Sequence, residues 1–240
     1  MLFRSEEVAA EHNGLRRLFA ERPDLMQGDV ALLGEPTNGD IEAGCQGIVR
    51  FWLSLKGVRA HTARPWMGRN AIHRLGDVLA VLQAWPGREP VVDGCRYHES
   101  LQAVRVDGGV AGNVVPDLAR VLIAYRFAPD RNADEAMQYV LGLLAGCLEA
   151  DDDITMDDVS QAAQPGLSHP LLRTLVERNG LEVRAKLGWT DVARFAEHGI
   201  PATNFGPGDA TLAHTRDERV EREPLERSYA ALRDLLERGV

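Results

Sequence analysis

Residues 48–55 read IVRFWLSL. Apolar and polar side chains alternate there with a period of two, the pattern of a strand with one buried face. Working outward from this stretch gives the order of the whole middle of the chain. Residues 70–85 carry apolar side chains at helical spacing, and 100–106 and 118–127 (LARVLIAYRF) read as two further strands. Residues 133–147 return to helical periodicity, and 154–159 form a last short strand. The sequence βαββαβ predicts a ferredoxin-like split sandwich: a four-stranded, mainly antiparallel sheet backed by two helices.

The flanks follow a different rhythm. A helix is predicted over 8–22, with Leu15, Leu18 and Phe19 on one face, and a buried strand over 28–33 (GDVALL) that stops at Pro36. Beyond residue 160, helices over 169–179, 190–198 and 223–238 alternate with strands over 181–185 and 201–205. Leu225, Leu232 and Leu236 are expected to face inward from the closing helix. Alternating helix and strand predicts an α/β layer structure with a mixed sheet. The expected organisation is therefore one α/β domain made of residues 1–46 and 161–240, with 47–160 inserted as a second domain.

Composition limits the partners. The chain has 240 residues, is 45% hydrophobic and carries a net charge of −9. Such an acidic protein has no electrostatic attraction to nucleic acid or to anionic membranes. No apolar run approaches the roughly 20 residues of a membrane span. The opening MLFRSEEV is not the leader of a secreted protein. Cys45, Cys95 and Cys147 are odd in number and widely spaced, which suits buried thiols in a reducing cytoplasm rather than a disulfide framework.

Several residues could carry chemistry. Glu6 and Glu7 adjoin at the start, where neighbouring side chains on a strand point opposite ways; one could bind a metal while the other serves as a base. On the pair alone, a solvated helix N-terminus is the commoner reading. Glu35 lies in LLGEPTN, at the carboxyl end of a buried strand, where open α/β sheets place ligands; a capping role in the turn is the competing reading. His214 follows another strand end, in NFGPGDATLAHTRDE. His61, in KGVRAHTARPW, and Asn113, in GGVAGNVVP, occupy loops of the insertion. His12, His73, His98, His169 and His198 have no comparable context.

The stretches SEEVAAEHNGL, LLGEPTNGDIEAGCQG, KGVRAHTARPW, VAGNVVPDLARVLIAYRF and GPGDATLAHTRDE together resemble the co-catalytic zinc amidohydrolases of the aminoacylase and glutamate-carboxypeptidase kind, nearest to the actinobacterial desuccinylases among them. The resemblance covers essentially the whole chain. It implies a zinc-peptidase-like catalytic domain carrying a lid that also dimerises. It implies two zinc ions per active site, with cobalt an acceptable substitute, bound in part by Glu7, Glu35 and His214. Glu6 is implied as the general base, and His61 as an oxyanion-stabilising histidine that reaches a partner's site. Asn113 and Arg126 are implied to hold the substrate, as is, with a departure from the family pattern in GWTDVARF, the turn of Gly188 and Thr190. The implied reaction is hydrolysis of a small anionic N-acyl amino acid in the cytoplasm, with N-succinyl-LL-2,6-diaminopimelate favoured. A related deacylase, such as an acetylornithine deacetylase, or a dipeptidase is the alternative.

In that family a His-x-Asp pair and a bridging aspartate precede the paired glutamates. Neither occurs ahead of Glu6. The resemblance therefore implies a catalytic domain incomplete at its N-terminus. Such a chain is expected to bind zinc weakly, and a catalytically dead remnant that only dimerises is the further alternative.

Overall fold

A computed structural model gives the structure of the chain and describes residues 13–213 and 215–239. In chain order the elements are helix α1 (Gly14–Glu21), strands β1 (Ala31–Leu33), β2 (Ile41–Ala43), β3 (Gly47–Lys56) and β4 (Ala60–His61), and helix α2 (Ala71–Ala84). Strands β5 (Val91–Val92), β6 (Cys95–Arg96), β7 (Ser100–Gly108), β8 (Val114–Val115) and β9 (Leu118–Phe127) follow, then helix α3 (Ala133–Leu144) and β10 (Asp153–Ser160). The chain closes with α4 (Pro170–Asn179), β11 (Val183–Ala185), α5 (Val192–Glu197), β12 (Ala202–Phe205) and α6 (Arg222–Arg238).

The chain divides into two compact units. The first takes residues 1–45, 93–95 and 163–240, and the second takes 46–92 and 96–162. Residues 93–95 turn the β5–β6 hairpin, where Asp93 and Gly94 both adopt positive φ, the backbone that an Asp-Gly hairpin turn requires.

The second unit is a four-stranded antiparallel sheet in the order β10-β3-β9-β7. Strands β3 and β9 pair over ten residues, from Gly47 opposite Phe127 to Lys56 opposite Leu118. Alternation sorts their side chains: Val49, Phe51, Leu53 and Leu55 join Val121, Ile123, Tyr125 and Phe127 in the core, beneath Leu75 and Val78 of α2 and Val140 and Leu144 of α3. Each large side chain so buried stabilises by about 1.5–3 kcal/mol. Both helices start on asparagine caps; Asn70 accepts backbone N–H groups of α2, and Asn132 forms a reciprocal capping box with Glu135 on α3. A buried ion pair ties helix to sheet, with Arg74 donating to both oxygens of Asp152 at 2.7 Å and to the carbonyl of Lys56 at 2.8 Å.

The first unit holds a smaller mixed sheet, β1-β12-β2-β11. β1 runs parallel to β12, β12 antiparallel to β2, and β2 parallel to β11. β2 has no counterpart among the expected strands, because three residues between a turn and a glycine are too few to show a period. The described part of the first helix is capped by Asn13, which accepts the Arg16 N–H.

One expectation is reversed. Helix α6 buries Ser228 and Ala231, while Leu225 and Leu236 are 52% and 85% exposed. Leu225 and Leu236 lie on a neighbouring stripe of the same helix, and small side chains let α6 sit close to its support.

Candidate active site

Because β1 and β12 are parallel neighbours, their carboxyl ends open on the same edge of the first unit's sheet. Glu35 follows β1 by two residues and is half-buried. Among the described residues its carboxylate has no hydrogen bond or ion pair. An uncommitted, partly buried carboxylate at a strand end is unusual, since such groups are normally satisfied. It is a hard oxygen donor suited to a divalent cation. The loop after β12 passes through Gly206 and Gly208 to a short turn at 210–212. Hydrogen bonds from the hydroxyl and amide of Thr211 hold the Asp209 carboxylate below its ordinary pKa range and brace this turn.

His214 lies just beyond that turn and, with Glu6 and Glu7, outside the described residues. Among the described residues no three His, Cys, Asp or Glu side chains cluster as metal ligands. Glu35 thus fits a metal by its chemistry, and the other expected ligands fall on positions whose geometry is not described.

Behind Glu35 the first unit is knit by buried polar ties. The Glu42 carboxylate accepts Lys186 Nζ at 2.6 Å and Arg184 Nε at 3.0 Å. Asn204 donates to the carbonyls of Glu42 and Gly44 at 2.8 and 3.2 Å. Thr190, expected in a substrate turn, is buried, and its hydroxyl donates to Asn204 Oδ1 at 2.9 Å. Gly188, two residues earlier, is exposed. The Cys45 thiol lies beside the Thr190 carbonyl, and burial pushes its pKa up to about 11. It is inert near neutrality. All three cysteines are free.

The second unit carries the remaining candidates at two separate places. His61 and Asn113 sit together on the short ribbon β4–β8, where His61 pairs with Val114 and the Thr62 N–H donates to the Asn113 carbonyl at 3.0 Å. Both are exposed. The Ala63 N–H donates to His61 Nδ1 at 3.0 Å. That bond leaves the proton of a neutral imidazole on Nε2, so the outer ring nitrogen is a donor. Arg126 lies near the far end of β9, half-buried between Ile48 of β3 and Ser100 of β7 on the face away from the helices. Eight residues separate it from Leu118, where β9 leaves the ribbon; at about 3.4 Å per residue this is about 27 Å. His61 and Asn113 are therefore one group, and Arg126 another.

Comparison with known proteins finds a domain match for the second unit and similar folds for the chain. Residues 44–149 match the model of the peptidase dimerisation domain, M20_dimer. The fold is similar to that of aminopeptidase PepT from Bacillus cereus (TM-score 0.71, 18% identity, 93% of this chain and 60% of that one). It also resembles an M20 family metallo-carboxypeptidase from Sulfolobus solfataricus (TM-score 0.67, 14% identity, 92% of this chain and 66% of that one).

The chain is 55% identical, over 97% of its length, to a Mycobacterium tuberculosis protein provisionally named succinyl-diaminopimelate desuccinylase, and covers 64% of it. It is 44% identical over 98% of its length to the succinyl-diaminopimelate desuccinylase of Corynebacterium glutamicum, again covering 64%. The chain spans about 64% of the length of these curated relatives. Among the described residues no helix is long and apolar enough to cross a membrane.

Proposed function

We propose that the intact protein is a metal-dependent amide hydrolase that cleaves N-succinyl-LL-2,6-diaminopimelate to succinate and diaminopimelate. The observation that carries this reading is the 55% and 44% identity to desuccinylases across nearly the whole chain. The uncommitted Glu35 carboxylate at the carboxyl end of β1 supports it. In this reading residues 1–46 and 161–240 build the catalytic domain, and 47–160 build the lid and dimerisation domain.

Glu7, Glu35 and His214 would hold zinc, two ions per site. Bound zinc supplies Lewis-acid polarisation of the amide carbonyl and a water of lowered pKa. Glu6 takes the proton of the attacking water and returns it to the leaving amine. His61 donates its Nε2–H to the developing oxyanion, for which the bond from Ala63 to Nδ1 sets the right tautomer. Arg126 binds a substrate carboxylate, a planar fork matched to two oxygens. Asn113 supplies an amide beside His61, and the Gly188–Thr190 turn lines the pocket.

The two groups on the second unit favour a homodimer. About 27 Å of strand is further than a small acyl amino acid spans, which supports a homodimer in which His61 serves the partner's site. The edge of β7 beside α2, with Ile72, Val104 and Val106 exposed at 41–53%, suits the contact between copies.

The test is hydrolysis of N-succinyl-LL-2,6-diaminopimelate by the intact protein, lost on chelation and restored by zinc. An inactive, zinc-loaded protein would refute the reading. His61→Ala should lower turnover by about 10²–10³. Mixing the separately inactive His61→Ala and Glu6→Gln proteins should restore up to about a quarter of wild-type activity, since half the dimers are mixed and each has one intact site. No recovery in verified mixed dimers would place His61 in its own chain's site.

A further inference from the structure

We propose that Thr37, through a seam closed at Gly206, is a positioning residue that sets the distance between Glu35 and the loop that leads to His214. The proposal rests on the reading of Glu35 as a metal ligand.

Beyond β1 and β12 the ladder stops, and two loops must stay in register without it. Thr37 is fully buried between them. Its hydroxyl donates to the Asp40 carbonyl at 2.6 Å and accepts the Gly206 N–H at 3.0 Å. Three backbone bonds run alongside: Thr37 N–H to the Gly206 carbonyl at 3.3 Å, Gly39 N–H to the same carbonyl at 2.9 Å, and Asn38 N–H to the Gly208 carbonyl at 2.6 Å. The Thr37 carbonyl in turn accepts Arg184 Nη2 at 3.0 Å.

The approach is as close as the backbone allows. A Cβ at Gly206 would lie 2.7 Å from the Glu35 carbonyl oxygen and 2.9 Å from the Gly34 carbonyl carbon. These are backbone atoms and cannot swing aside. Any side chain at 206 therefore pushes the Glu35 residue itself away. The seam lies two residues from Glu35 on one side and eight from His214 on the other. A metal ion held by Glu35 samples the position of this loop directly, because ligand distances tolerate only tenths of an ångström.

A merely structural hydroxyl would affect folding and leave metal affinity alone. A positioning one weakens the metal, as outer partners of metal ligands do by about 10–100-fold. The test is zinc competition against a chromogenic chelator on the intact protein, with the thermal midpoint of the metal-free protein measured in parallel. Thr37→Val should weaken the same zinc that Glu35→Gln weakens, by about 10–100-fold, and Thr37→Ser should restore wild-type affinity. If Thr37→Val does not fold, Gly206→Ala, which keeps every donor and acceptor, must weaken zinc in the same range. Wild-type affinity in a folded Thr37→Val or Gly206→Ala protein overturns the proposal, as does equal weakening by Ser and Val. Glu35→Gln is the control. If it leaves zinc binding unchanged, the metal reading itself fails; if it weakens zinc while the seam variants do not, only the seam proposal fails.

Discussion

The two four-stranded sheets of this chain are built to different rules. In the second unit the strands run eight to ten residues, and period-two alternation packs one face under two capped helices. In the first unit the strands are three or four residues long, and side chains do what a longer ladder would have done. Thr37, Glu42 and Asn204 stitch neighbouring strands and loops through buried hydrogen bonds. The long ladder makes a scaffold that tolerates a polar open face. Short strands end in loops soon enough to bring polar groups such as Glu35 to one sheet edge. The first unit accepts costly buried polar groups in return for that geometry.

The contrast predicts different ways to fail. Phe51→Ala removes a fully buried ring from the centre of the second unit's core. It should destabilise that unit by about 3–5 kcal/mol in denaturant titration; a loss under 1 kcal/mol would mean the core is not the main support.

Asp152→Ala removes the nearest carboxylate from Arg74, whose side chain is 8% exposed, leaves Glu149 at 3.6 Å, and should cost at most about 3–5 kcal/mol. The pair also gives the unit an acid limit. Burial raises the Asp152 pKa, but hydrogen bonds from Arg74 and from the amides of Lys56 and Glu149 outweigh it and leave the pKa lowered. Its contribution is complete above the ordinary carboxylate range and is lost as pH falls through the depressed folded value. The wild-type stability curve should show that acid step, and the Asp152→Ala curve should lack it.

Asn204→Ala probes the first unit, where no large ring is lost. It should cost about 1–3 kcal/mol for the carbonyls it orphans. If it proved neutral, the side-chain stitching would not be what holds the short strands. Smallest of all, Asn132→Ala removes one cap of α3 and should cost about 1 kcal/mol, again by denaturant titration.

The same contrast explains what the sequence made legible. Ten-residue strands and helices of fourteen and twelve residues give a period time to repeat, so β3, β9, α2 and α3 are evident from IVRFWLSL outward, and their order names the sandwich. β2, at three residues, has no period to show, and the ribbon of β4 with β8 is two residues on each side. On α6 the period was visible, but two leucine positions and the Ser228–Ala231 stripe satisfy it alike; packing against its support chose the smaller residues. Glu35 could be singled out because a proline and a turn follow a buried strand. Thr37 could not, because its role lies in a hydroxyl that meets a loop 169 residues away. The pairing of His61 with Asn113 was likewise hidden, since 52 residues separate them along the chain.

Glu35, at the carboxyl end of β1, is the proposed metal ligand of the intact protein. Crystals of that protein grown with zinc, measured on both sides of the zinc absorption edge, test it most directly. The account predicts an anomalous peak about 2.0–2.2 Å from a Glu35 carboxylate oxygen. A fully occupied zinc peak elsewhere, with the Glu35 carboxylate unbound, would contradict it.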